Sequence, residues 1–170
     1  ADEIIARRHD DQFPIDVYQT GSGTSTNMNV NEVISALTGH AAHPNDHVNL
    51  GQSSNDVVPT AAQLAACEAI EQRFVAAIGH LIDTLRARAD DLDDVVKPGR
   101  THLMDAVPVV LGHEMAAYAA QLEECLERVV GSLTALGRDP LGGTAVGNGI
   151  GTHPDFADLV LRSIADAGLL

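Results

Sequence analysis

Two long stretches carry apolar side chains at alternating four- and three-residue steps, and no other feature restricts the fold so strongly. In the first, Phe74, Ile78, Leu81, Leu85 and Leu92 follow this spacing inside a helical pattern running from Asp56 to about Asp93. In the second, Leu111, Met115, Tyr118, Leu122, Cys125, Val129, Leu133 and Leu136 repeat it inside a helix expected from Pro108 to about Leu136. Such steps return to one side of a helix, so each run offers an apolar seam that must be covered. The Lys97–Val107 connection turns the chain back, and the two helices are expected to pack antiparallel. At 1.5 Å per residue each is on the order of 40 Å long, far more than one compact domain needs. Helices that long with few neighbours call for further subunits.

The remaining segments are shorter. Residues 1–20 hold a short helix and then Phe13–Tyr18, whose alternation suggests extended chain. Gly21 and Gly23 flank Ser22, and Thr24-Ser25-Thr26 supplies hydroxyls and a cap for a helix over Met28–Leu37. Asn27 and Asn31 share a face of that helix, so asparagine amides there need buried partners. His40–Gly51, with Pro44 inside it, reads as a surface loop. Pro59 is placed in the first turn of the first long helix, where a missing N–H costs little, and Asp56 suits the positive end of its dipole. Residues 140–153 are glycine-rich, and an amphipathic run follows from Asp155 to Ala167. That run stops without the helices it would join, which suggests a chain cut from a longer one.

Charge excludes one class of partner. The formal charge of −14 opposes nucleic acid, whose phosphates are met by clustered Lys and Arg. No apolar run approaches the roughly 20 residues that cross a bilayer, so no membrane partner is expected. The start, Ala1-Asp2-Glu3-Ile4, lacks the pattern of a secretory signal, and Cys67 and Cys125 both fall in helical patterns as core residues; a cytoplasmic, reduced protein is the expectation. Lys97 is the sole lysine and most acidic residues are Asp. Adaptation to salt and compositional drift both account for that.

Three clusters carry candidate chemistry. Ser53-Ser54-Asn55-Asp56 offers hydroxyl and amide donors beside the free N–H groups of a helix start, which makes either an anion site or an ordinary capping cluster. Thr101-His102 precedes the second long helix; histidine is the usual proton carrier, though a lone one is also a common structural residue. Antiparallel packing would put this loop some 40 Å from Ser53 in the same subunit, so one subunit is not expected to close a pocket. His43-Pro44-Asn45-Asp46-His47 has two histidines four apart, but Pro44 opposes the helix on which that spacing binds zinc. The glycines from Gly142 to Gly149 lack the spacing and the Gly-Lys-Ser/Thr ending of a phosphate loop.

These motifs, in this order, resemble those of class II fumarase in the fumarase/aspartase superfamily. The match runs through Gln19-Thr20-Gly21-Ser22-Gly23-Thr24 and Thr26–Asn29, His43–Asp46, Gln52–Asp56, Gly99–Ala106 and Leu141–Gly147. The resemblance implies an all-α fold of long antiparallel helices with polar active-site loops at their ends, residues 1–50 closing an N-terminal domain and residues 51–170 forming an incomplete central bundle. It implies reversible hydration of fumarate to L-malate, without metal or cofactor. Ser22, Gly23, Thr24, Ser53, Ser54, Asn55 and Thr101 would hold the substrate carboxylates, and His102 would be the acid/base residue or its relay. His43, Pro44, Asn45 and Asp46 would form a secondary dicarboxylate site, with His40 replacing a basic side chain three residues before His43. Ser54 and His102 favour hydration over the ammonia chemistry of aspartases. The family's serine loop, with its lysine and asparagine, is absent from these 170 residues, and four family chains pool their helices, three of them building each site. A homotetramer is therefore implied. The alternatives are a non-catalytic helical assembly module that retains dicarboxylate binding, and an aspartase-like ammonia lyase.

Overall fold

The computed structural model describes residues 1–19 and 21–168; Thr20 of the first motif lies outside the described residues. The chain is mainly helical, as expected, with α1 (Asp2–Ile5), α2 (Thr24–Leu37), α3 (Ser54–Ala69), α4 (Val75–Asp91), α5 (Leu111–Leu136) and α6 (Phe156–Asp166). One antiparallel hairpin, β1 (Val96–Thr101) and β2 (Met104–Val110), interrupts it. Among the described residues no helix is long and apolar enough to cross a membrane. Two compact units are present, one of Ala1–Ala65 with Gly137–Leu170 and one of Ala66–Leu136.

In the second unit α4 and α5 pack on each other in opposite directions, as the return of the chain demands. The period read from the sequence is right, and so are most of its positions: Ile78, Leu85, Leu92, Leu111, Met115, Leu122, Val129, Leu133 and Leu136 are shielded. The seam shifts by one residue where Val75, Ile82, Ala119 and Leu126 are covered in place of Phe74, Leu81, Tyr118 and Cys125, and Ala89 and Gly112 join it. Ile82 and Ala119 are buried at 6% and 1% exposure, whereas Phe74, Leu81 and Tyr118 are exposed. Cys125 is exposed, which overturns its reading as a core residue, whereas Cys67 is partly covered. Small residues explain the shift: Ala89, Gly112 and Ala119 let the two backbones approach, and a hydrophobic count ranks Tyr118 above the alanine beside it. A wide π-helical turn at Ile70–Phe74 joins α3 to α4.

The polar connection before α5 is a hairpin instead of a loop, and Pro108, expected in the helix, lies in β2 opposite Pro98. Proline lacks the N–H a central strand needs, but both strands of a two-stranded ribbon are edges. Val107, Val109 and Val110 supply β-branched residues suited to a pleat. The register shifts between Pro98 and Arg100. Gly99 lies at that shift, where a Cβ would fall 2.8 Å from the carbonyl oxygen of Val107. Lys97 Nζ reaches both carboxylate oxygens of Glu114, at 2.9 and 2.7 Å, tying the hairpin base to the first turn of α5.

In the first unit α2 begins four residues earlier than expected. Gly23 is its N-cap in a left-handed conformation (φ 68°), no side chain caps the helix, and Thr24–Thr26 fall inside its first turn. Its buried positions are Asn27, Asn31 and Ser35, a polar stripe at four-residue steps. The amides find partners as the sequence required: Asn27 Nδ2 and Asn31 Nδ2 donate to Asn49 Oδ1 at 3.2 and 3.1 Å. His40–Gly51 is not wholly irregular, since Pro44–Val48 forms one π-helical turn capped by His43; proline is tolerated at its first position because the missing N–H has no partner there. α3 starts at Ser54, two residues before Asp56, which puts Pro59 inside the helix. α6 turns Phe156, Ala157, Val160, Leu161 and Ile164 away from solvent.

Candidate active site

The start of α3 is organised by Asp56. Its side chain is 1% exposed, and Oδ1 accepts the Ser53 N–H at 2.9 Å, closing the first turn as a capping carboxylate does. Oδ2 accepts two further backbone N–H groups from the glycine-rich segment, Gly142 at 3.2 Å and Thr144 at 2.7 Å. Asn55 adds a second tie there, its Nδ2 donating to the Ala145 carbonyl at 3.1 Å. Ser53 Oγ accepts the Asn55 N–H at 3.2 Å, so Ser53 serves the helix start. Ser54 Oγ accepts from Asn27 Nδ2 at 3.1 Å, and its hydroxyl proton remains available to donate outward. Capping in this cluster thus falls to Ser53 and Asp56.

The Ser22–Thr24 loop adjoins the same helix. A Cβ on Gly23 would lie 2.7 Å from Val58 Cγ1, so only glycine permits that approach and the positive φ together. The exposed hydroxyls of Ser22 and Thr24 are 2.9 Å apart and hydrogen-bonded. Gln19 Nε2 donates to Thr26 Oγ1, steadying the entry to α2. The first unit therefore brings together Ser22, Gly23, Thr24, Ser53, Ser54 and Asn55.

The Pro44–Val48 turn packs on α2 in that unit. His43 Nδ1 accepts the Asp46 N–H at 3.2 Å, and His47 Nδ1 accepts the His43 N–H at 2.8 Å. Asp46 Oδ2 also lies 3.2 Å from His43 Nδ1, so this nitrogen faces both a backbone N–H and a carboxylate, and the turn holds its own negative charge beside the ring. Asn45 and Asp46 are exposed beside them.

Thr101 and His102 belong to the second unit, where the hairpin presents them at its tip. Thr101 pairs with Met104 across the turn, leaving His102 and Leu103 as the two reversing residues at φ 47° and 60°. Positive φ at both central positions is the pattern of the hairpin turn usually built from Asn-Gly. Here it is occupied by a histidine and a fully exposed leucine. Strain of this kind is concentrated at functional sites. Arg100 Nε and Asp105 Oδ1, 3.1 Å apart, pair across the strands below.

Asp56 was read as a member of the Ser53–Asp56 cluster and as a helix-end charge, without its bonds to Gly142 and Thr144, and Asn49 was not read at all; the shared face of Asn27 and Asn31 signalled a buried amide network. No local signal identified Asn49 or the glycine segment as their partners.

The whole chain matches known proteins. A family model described as lyase matches residues 1–170. Class II fumarate hydratase of Mycobacterium tuberculosis strain H37Rv is 53% identical over 99% of this chain and 36% of its own length. That of Corynebacterium glutamicum is 51% identical over 95% of this chain and 35% of its own. The crystal structure of recombinant class II fumarase from Schistosoma mansoni superposes with a TM-score of 0.81 at 38% identity, covering 99% of this chain and 38% of that one. The chain thus spans about a third of the length of the relatives it matches.

Proposed function

We propose that this chain, which belongs to the lyase family matched along its whole length, forms part of a class II fumarate hydratase and serves the reversible addition of water to fumarate, giving L-malate. In this reading Ser22, Gly23, Thr24, Ser53, Ser54, Asn55 and Thr101 bind the carboxylates. His102 is the catalytic acid/base residue or its relay, and no step is assigned to a metal or cofactor. Removing a proton beside a carboxylate builds further negative charge on it. Fixed hydroxyl and amide donors stabilise that charge more in the transition state than in the ground state. His43, Pro44, Asn45 and Asp46 form a secondary dicarboxylate site.

The observation that carries the reading is the placement of His102, exposed at a hairpin tip in a left-handed conformation directly after Thr101. Among the described residues no side chain pairs with the ring, and the strained turn is accounted for by delivering it to a substrate. Ser54 and His102 favour water over ammonia as the added group. The working protein is proposed to be a cytoplasmic homotetramer, in which residues 1–50 complete an N-terminal domain and residues 51–170 enter a shared bundle.

In an enzyme of the relatives' length that carries these residues, His102→Asn should lower kcat for fumarate hydration on the order of 10²-fold or more, the range for lost acid/base catalysis. Near-normal turnover would remove His102 from the mechanism. The 170 residues alone should not hydrate fumarate at family-like rates, because the serine loop with its lysine and asparagine is missing from them; intact mass followed by fumarate absorbance checks this.

A further inference from the structure

We infer that Asp56 is a positioning residue for this reaction: its carboxylate locks the Gly142–Ala145 segment onto the start of α3 and thereby sets where Ser54 and Asn55 present their donors. The inference rests on the reading of Ser53–Asn55 as carboxylate binders.

Asp56 divides its two oxygens between two jobs. Oδ1 holds the Ser53 N–H and so closes the helix turn that carries the donors, while Oδ2 holds the Gly142 and Thr144 N–H groups, 86 and 88 residues away in sequence. No cationic side chain pairs with it among the described hydrogen bonds and ion pairs, so backbone dipoles and the positive end of α3 balance its charge. Thr144 shows why a carboxylate is needed. It is 8% exposed and adopts φ 57°, a conformation that β-branched residues rarely take. Its N–H makes the shortest of the three bonds. The next residue, Ala145, receives the Asn55 amide, so a shift of Thr144 is passed directly to a substrate-binding side chain. An asparagine at 56 has one acceptor oxygen; it can serve the helix turn or the loop, and its NH2 then faces the other set of donors.

The test uses the full-length enzyme carrying these residues. With Asp56→Asn, KM for L-malate should rise about tenfold or more and kcat per folded molecule should fall with it, since misplaced donors hold the substrate carboxylate less well and stabilise the charge of the transition state less still. A purely structural Asp56 would lower the folded fraction and leave KM unchanged, and that result overturns the inference. Should the variant fail to fold, the wild-type enzyme decides by hydrogen exchange: coupling is reciprocal, so saturating L-malate should slow exchange at the Gly142 and Thr144 amides about tenfold. Protection at Ser53–Asn55 without protection at Gly142 and Thr144 sinks the inference alone. No response at any of these amides sinks the functional reading and takes the inference with it.

Discussion

Gly112 lies over the carbonyl of Ala89 so closely that a Cβ would fall 2.3 Å from that oxygen, with the Asp93 nitrogen 3.1 Å away. The Gly112 N–H also donates to Leu92 O at 3.1 Å, and the Leu111 N–H to Val95 O at 2.8 Å. The start of α5 is thereby fastened to the end of α4 through backbone hydrogen bonds.

Gly112→Ala should accordingly destabilise the chain by about 1–3 kcal/mol or more, because the neighbour is backbone and cannot swing aside. Gly131 in the same helix has nothing within 4 Å of its Cβ position, so Gly131→Ala should stabilise by roughly 0.5–1 kcal/mol through helix propensity. Urea midpoints of the two variants should move in opposite directions, and a shared direction would contradict the packing described.

Leu103 combines full exposure with φ 60°, so its side chain gains no burial for a left-handed backbone that costs about 1–2 kcal/mol in an L-residue. Leu103→Gly is expected to raise stability by up to about 1 kcal/mol. Thermal denaturation reads the change, and a lower melting point would show that the leucine is held by contacts the exposed tip does not reveal.

The formal charge of −14 with one lysine places many like charges on a single short chain. If the acidic excess is adaptation to salt, molar potassium chloride should raise the melting temperature by screening self-repulsion. Compositional drift is the better account if the melting curve is the same in low and molar salt.

Both carboxylate oxygens of Asp139 are buried without a hydrogen-bond partner, and burial raises its pKa above the ordinary value of 3.8. The neutral acid is the form that suits the folded state. Its contribution is complete below that ordinary value and is lost as pH rises through the higher folded value. Asp139→Asn removes the charge, so its denaturation midpoint should exceed wild type near neutral pH and the two should converge in acid. A variant that is equally stable at both pH values would contradict the burial of the charge.

What could be read before the structure followed how local each signal was. α6 and the C-terminal ends of the long helices were legible because periodicity and glycines act within a few residues. The hairpin was not, since Lys97–Val110 mixes prolines, valines and charges in a segment whose strand character depends on pairing with itself. The start of α2 was misplaced because threonine is both a capping residue and, once Gly23 takes the cap, an acceptable first-turn residue. The residues Ser22, Thr24, Ser54, Asn55 and Asp56 were identified through motif strings, while the bonds from Asp56 to Gly142 and Thr144 were not legible.

By itself the sequence determined the helical class, the three- and four-residue period of the two long runs, the polar segments between them and membership of the lyase family, all carried by spacing and short motifs along one chain. Tertiary structure alone decided where each seam shifts by one residue, because that depends on how closely the facing backbones come: Ala119 is covered where Tyr118 is not. It also decided that one carboxylate serves both the Ser53 turn and the Thr144 loop. Those partners are separated by most of the chain, and the desolvation that makes their hydrogen bonds obligatory exists only once the segments have packed.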